Sequence, residues 1–221
     1  SAHHGHWDDA IKGSSALRAA LLRRMGEEEA RLLLESHAGL YWDMEKFYDN
    51  IDISMLVRLA HKLEYPTRML AMGLQMHMAP RVIKAYDAYH ICQLPTNGII
   101  AGDLQSNTLA RIMCYEVVKQ SYERVDTVVG PSNYEMYREQ IQTFVDDMMQ
   151  AIAGKDPKKV IQQMIKAGSF LADGLVALGN KISGTKSIAI GGTNEMRNEI
   201  VKGIGRAGHK ITAATHGKYL G

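Results

Sequence analysis

Residues 141–154 read IQTFVDDMMQAIAG, and they place two adjacent carboxylates, Asp146 and Asp147, inside a run of Ile, Phe, Val and Met. An unpaired carboxylate is costly to bury, so such a pair needs a turn, a partner or a cation. The pattern predicts strand, tight turn, strand, with the two acids at the bend. Asp43 lies far upstream, in the β-prone and aromatic stretch GLYWDMEKFYDNI, 39–51, which reads as a strand running out near Tyr48. The plain explanation is that Asp147 caps a turn and Asp43 ends a strand. The other is that the two strands pair and bring three carboxylates together. Such a cluster repels itself unless cations sit in it. Oxygen-only ligands suit Mg²⁺, which keeps waters and is completed by substrate phosphates. Two such ions about 4 Å apart would serve an in-line phosphoryl displacement.

Working outward, GSSALRAALLRRMGEEEARLLLES, 13–36, predicts a helix capped by Ser14 or Ser15, interrupted at Gly26 before a second helical stretch. SMLVRLAHKLEY, 54–65, reads as an amphipathic helix closed by Pro66, and RMLAMGLQMHM, 68–78, as another. Their methionine stripes are expected to fill the core rather than hold a cofactor. Residues 81–100 suggest a hairpin turning near PTNG. A helix is expected over 106–125, a connection with a turn at Gly130-Pro131 over 125–140, and a helix over 155–179 with Pro157 in its first turn. A strand within 180–192 and a short helix after it complete an α+β chain with a mainly antiparallel sheet.

Across its 221 residues, charge is uneven behind a net of +2. Residues 151–221 hold 11 Lys+Arg against 4 Asp+Glu, while residues 1–150 hold 15 against 20. An acidic front and a basic tail fit a protein that holds cations in one place and polyanions in another, although solvated lysines look similar. No apolar run approaches membrane-spanning length, and Cys92 and Cys114 make no disulfide framework, so an intracellular, reducing setting is expected. His3, His4 and His6 read as a frayed terminus rather than a metal site.

The ordered motifs resemble those of the reverse transcriptases, in particular non-LTR retroelement and group II intron types. WDMEKFYDNID is similar to the first catalytic block, NGIIAGDLQSNTLARI to the nucleotide-binding block, FVDDM to the aromatic-x-Asp-Asp block, and ALGNKISGTKSIAI to the Lys-bearing block. The final KYLG resembles the start of the primer-grip hairpin, and GSSALRAAL a Gly-Arg-Ser-Thr helix start. The resemblance covers residues 13–221 and implies a right-hand polymerase palm with part of the fingers and no thumb. On it, 13–40 is a helical lead-in, 41–60 and 106–221 form the palm, and about 61–105 is a palm/fingers connection.

The resemblance further implies an RNA-directed DNA polymerase that uses an RNA template, a DNA primer and dNTPs. Two Mg²⁺ would be held by Asp43, Asp146, Asp147 and the Met44 carbonyl, one activating the primer 3′-hydroxyl and one holding the triphosphate. Lys186 would assist pyrophosphate departure. Tyr48 would be the gate under the incoming sugar, with Gly98, Ala101 and Gly102 in the nucleotide site and matches at Asp103 and Ser106. Tyr219, Leu220 and Gly221 would begin the primer grip. The isolated 221 residues are expected to show little or no activity. Ala101 stands where the family usually has Gln, and LQSN, 104–107, where it has Pro-Leu-Ser-Pro. These departures keep open a catalytically inactive relative acting as an RNA- or protein-binding scaffold. An unrelated Mg²⁺-dependent nuclease or phosphatase would not account for Tyr48 or the glycine block.

Overall fold

The computed structural model describes residues 5–11, 13–91, 94–128, 137–144 and 147–215. Strands β1 (Ser36–Trp42), β4 (Tyr137–Phe144), β5 (Asp147–Gly154), β6 (Ile188–Gly191) and β7 (Thr212–Ala213) form one sheet in the order β4-β5-β1-β6-β7. All neighbours are antiparallel except β6 and β7. A separate hairpin joins β2 (Val82–Ala85) to β3 (Ala88–Ile91). The α+β, mainly antiparallel expectation therefore holds.

Helix ends follow their capping residues. In α1 (Ala16–Leu32) the Ser15 hydroxyl accepts from the Arg18 amide, and in α3 (Ile53–Lys62) the Asp52 carboxylate accepts from Met55. In α6 (Pro157–Ala177) Asp156 caps Lys158 and Lys159 with Pro157 at the first position, and in α7 (Asn194–Arg206) Thr193 caps Met196. The remaining helices are α2 (Phe47–Asn50), α4 (Thr67–His77) and α5 (Ser106–Val128).

Helices α5, α6 and α7 stack behind one face of the sheet. Leu40, Trp42, Met148, Ile152 and Ala189 on that face meet Met164, Leu171, Ile200 and Ile204. Gly168 lets α6 come close: a Cβ there would lie 2.3 Å from Leu40 Cδ1. Gln150 is fully buried yet satisfied, since Trp42 Nε1 donates to its Oε1 at 3.0 Å and its Nε2 donates to the Ala167 carbonyl at 3.2 Å.

Five expectations need correction. Helix α1 runs straight through Gly26, because one mid-helix glycine costs only about 1 kcal/mol and strong helix formers flank it. Strand β1 stops at Trp42, not near Tyr48: Lys46 takes a left-handed φ of 48° and residues 47–50 close a helical turn. The hairpin turns at Tyr86-Asp87, before PTNG, with Tyr86 at φ 56°. The methionine stripe of α4 does not fill the core. Met69, Met72 and Met76 are exposed, and Leu70, Gly73 and His77 carry the buried face. Of the expected frayed terminus, His3 and His4 lie outside the described residues and His6 is exposed. From Trp7 the chain is docked, with Asp8 bridging Thr143 at the edge of β4 and Trp7 beside Tyr115 and Tyr122 of α5. Of the connection expected over 125–140, residues 125–128 extend α5 and 137–140 begin β4, while the turn at Gly130-Pro131 lies outside the described residues.

Candidate functional site at the acid edge of the sheet

Strand pairing delivers the acids. Trp42 pairs with Met148, so one step further the register sets Asp43 across from Asp147. On the other side Tyr41 pairs with Ile188, beyond which residues 184–186 form a turn, and from that turn Lys186 brings its Nζ to 3.7 Å from Asp43 Oδ1. Phe144 pairs with Asp147 where β4 meets β5, so the expected strand-turn-strand holds on both flanks of residues 145 and 146. Those two, and with them Asp146, lie outside the described residues, as do Tyr219, Leu220 and Gly221.

Asp43 is held by its backbone. Its N–H donates to the Ser187 hydroxyl at 3.0 Å and its C=O accepts from the Ser183 N–H at 2.8 Å. Both serines are buried. Met44 bridges Ile182, and the bonds that close this bridge come from its neighbours, with Glu45 N–H donating to the Lys181 carbonyl at 2.7 Å. In such a pair the central residue's own peptide groups point away, so the Met44 carbonyl turns from Lys181–Ser183.

The Asp43 side chain is less well served. Oδ1 is buried and accepts no hydrogen bond, with Lys186 Nζ 3.7 Å away. The Lys186 side chain is 72% exposed, so this pair alone compensates the carboxylate weakly.

Asp43, Asp147 and Lys186 line one cavity of about 780 Å³, together with Thr143, Phe144, Thr185 and Ile188. That volume falls within the roughly 300–1,000 Å³ usual for small-molecule sites. Helix α1 forms its roof through Ala19 and Arg23. Arg23 is buried, its Nε donates to the Ala19 carbonyl, its guanidinium lies 5.7 Å over the Tyr41 ring, and Nη2 has no hydrogen-bond partner. Asp9 adds a carboxylate to the wall. Burial pushes its pKa up, with Arg18 and Arg23 pulling the other way. Among the described residues no three His, Cys, Asp or Glu side chains converge as a metal site. The buried, unsatisfied Oδ1 of Asp43 facing Asp147 across the register nonetheless fits a hard cation.

The nucleotide-block residues gather elsewhere. Gly98 N–H donates to the Ile51 carbonyl and Ile99 N–H to Tyr48, both at 2.8 Å. Gly98 needs its φ of +82°, and a Cβ there would lie 2.7 Å from the Asp49 carbonyl oxygen. Gly102 has φ +85° and open space beside it, and Ala101 is exposed. Ser106 is fully buried and donates to the Ile100 carbonyl, while Asp103 accepts from the Gln105 N–H at 2.8 Å. Tyr48 donates from its hydroxyl to Asn107 Oδ1 at 3.2 Å. Tyr48, Gly98, Ala101 and Gly102 therefore form a group of their own, and none of them lines the acid cavity.

Sequence reasoning missed Asp9, Arg23 and Tyr41. Arg23 carried a signal, since Ala19, Arg23 and Ala30 share one helical face of α1 while Leu17, Leu21 and Met25 face out. Asp9 carried none, because no local pattern marks a terminal segment that adds to a sheet edge.

No family model matches the sequence, and no curated protein matches it. Among solved structures, the chain is similar to telomerase from Candida tropicalis in complex with a TWJ fragment of telomeric RNA, at 13% identity and a TM-score of 0.53, covering 83% of this chain and 32% of that one. It is similar also to apo telomerase from Candida tropicalis truncated from its C-terminal domain, at 14% identity and a TM-score of 0.55, covering 84% and 36%. The chain thus spans about a third of the length of these neighbours. Likeness at this identity is one of fold alone. No helix among the described residues is long and apolar enough to cross a membrane.

Proposed function

We propose that this chain carries the palm and part of the fingers of an RNA-directed DNA polymerase, of non-LTR retroelement or group II intron type, adding dNTPs to a DNA primer on an RNA template. The observation that carries this reading is the convergence of Asp43, Asp147 and Lys186 in one cavity, with Asp43 Oδ1 buried and unsatisfied. The coarse fold shared with telomerase, one neighbour of which holds RNA, supports it.

Asp43, Asp147 and Asp146, with the Met44 carbonyl, would hold two Mg²⁺. Bound there, the ions would neutralise phosphate charge and make a hydroxyl nucleophile easier to deprotonate. The protein's own part is positioning. The Ser183 and Ser187 clamps fix where the Asp43 carboxylate stands, and the strand register fixes its distance from Asp147. Lys186, exposed and beside Asp43, supplies a movable positive charge for a departing pyrophosphate. Tyr48, tied to Asn107, presents its ring as the sugar gate.

A second reading is a non-catalytic domain that binds RNA or protein. What favours it is α1, which roofs the acid-bearing face where a template-primer duplex would have to lie. Ala101 and LQSN point the same way.

Both readings meet one experiment, on a protein restored at both ends of these 221 residues: Mg²⁺-dependent addition of a single dNTP to a DNA primer annealed to RNA, with RNA binding measured in parallel. Addition above background, falling roughly 100-fold or more in Asp43→Asn and Asp147→Asn with RNA binding kept, is the expected result. Addition that is unchanged in Asp43→Asn sinks the polymerase assignment. RNA binding without any addition moves the conclusion to the scaffold.

A further inference from the structure

His77 ends α4 and is fully buried, an unusual place for an imidazole that no motif marks. Its Nδ1 accepts the Ile100 N–H at 3.1 Å. An accepting Nδ1 leaves the proton of the neutral ring on Nε2, which faces Asp103 Oδ2 across 3.8 Å. Burial lowers the pKa of the ring, Asp103 opposes that shift and Arg81 adds to it, so the neutral form that the bond requires is the favoured one.

The position of Ile100 gives this bond its meaning. Three successive amides leave the turn. Those of Gly98 and Ile99 go to Ile51 and Tyr48 in and just past α2, and that of Ile100 goes across to His77 on α4. The Ile100 carbonyl takes the Ser106 hydroxyl at the start of α5. A few residues on, Gln105 rests against Gly73, where an added Cβ would lie 2.1 Å from Gln105 Oε1. The segment is thus strung between α2 and α4, and His77 supplies the side-chain tie on the α4 side.

We infer that His77 is a positioning residue for the nucleotide-binding turn, setting through Nδ1 the place of the Ile100 peptide and hence of Ala101, Gly102 and Asp103. The tie stands on geometry, and its consequence for a bound nucleotide rests on the polymerase reading. A leucine at 77 would fill the space but leave the Ile100 N–H without an acceptor.

The test uses two isosteres in the 221-residue protein. Asparagine places its Oδ1 near the position of Nδ1 and keeps the acceptor, whereas glutamine reaches toward Nε2 and loses it. Hydrogen exchange of the Ile100 amide, read by NMR, should rise roughly fivefold to tenfold in His77→Gln and stay near wild type in His77→Asn. With Mg²⁺ present, dNTP affinity should weaken about fivefold in His77→Gln and recover in His77→Asn, at matched thermal stability. Equal Ile100 exchange in both variants overturns the tie. Faster exchange in His77→Gln with unchanged dNTP affinity overturns the positioning role. A wild-type protein that binds no dNTP, but keeps the exchange contrast, removes the polymerase reading and the nucleotide role while leaving the His77–Ile100 tie in place.

Discussion

The two faces of the central sheet differ in how each side chain is satisfied. Behind it, Leu40, Trp42, Met148 and Ile152 meet α6 and α7, and the fully buried amide of Gln150 in the sheet is bonded at both ends, while Ser169 Oγ on α6 has no hydrogen-bond partner. In front of it, Tyr41, Asp43, Asp147 and Met149 face α1 across a cavity, and Asp43 Oδ1, Gln142 Oε1 and Arg23 Nη2 are buried without hydrogen-bond partners. Unsatisfied polar atoms are tolerated where a ligand or ion completes them and are selected against where nothing does. The rear face holds the fold together, and the front face keeps bonding capacity in reserve.

Removing volume from the rear gives the largest effect. Leu171→Ala should cost about 3 kcal/mol in denaturant unfolding, because the side chain is fully buried between helix and sheet. Gln142→Ala on the front should cost less than about 0.5 kcal/mol, since its Oε1 has no partner to lose. Similar losses at the two positions would break the contrast.

A smaller effect comes from a carboxyl on the rear face. Glu139 pairs with Ile152, and burial raises its pKa from 4.5 to about 7 against the opposing pull of Arg124. Between those values the folded state binds more protons than the unfolded chain, so stability falls as pH rises and the penalty is complete above about 7. Glu139→Gln should therefore stabilise by about 2 kcal/mol at pH 8 and by almost nothing at pH 4. A pH-independent difference in unfolding free energy would show that the carboxyl is not held in that way.

A further, modest effect concerns how α1 is tied across the front. Arg138 on β4 reaches Glu29 in α1 and Glu35 just beyond it, both at 2.6 Å. Its side chain is 40% exposed, so Arg138→Ala should cost only about 1 kcal/mol, less in high salt. If α1 is a removable roof, the same substitution should leave the rear-face stability unchanged while speeding exchange of α1 amides.

Much of this molecule is legible one short window at a time. Asp156-Pro157 starts α6 and Thr193 starts α7 because a cap acts over three residues, and the alternation on either side of FVDDMM marks the paired strands β4 and β5 because side chains alternate along a strand. The same local logic failed where neighbours outweigh propensity. The aromatic run after Trp42 is β-prone, yet it closes into a turn around the left-handed Lys46, and the leucines of α1 have helical spacing without saying which face is buried.

The site belongs to another level. Asp43 shares a cavity with Asp147 only because β1 takes one register against β5, and shifting it by one residue would turn the acid to the other face. Asp9, Arg23 and His77 likewise gain their roles from segments distant in the chain. Caps and periods express forces that act within a turn of backbone. Register and docking are settled by burying one whole face of the sheet at once, and no window of the sequence contains that balance.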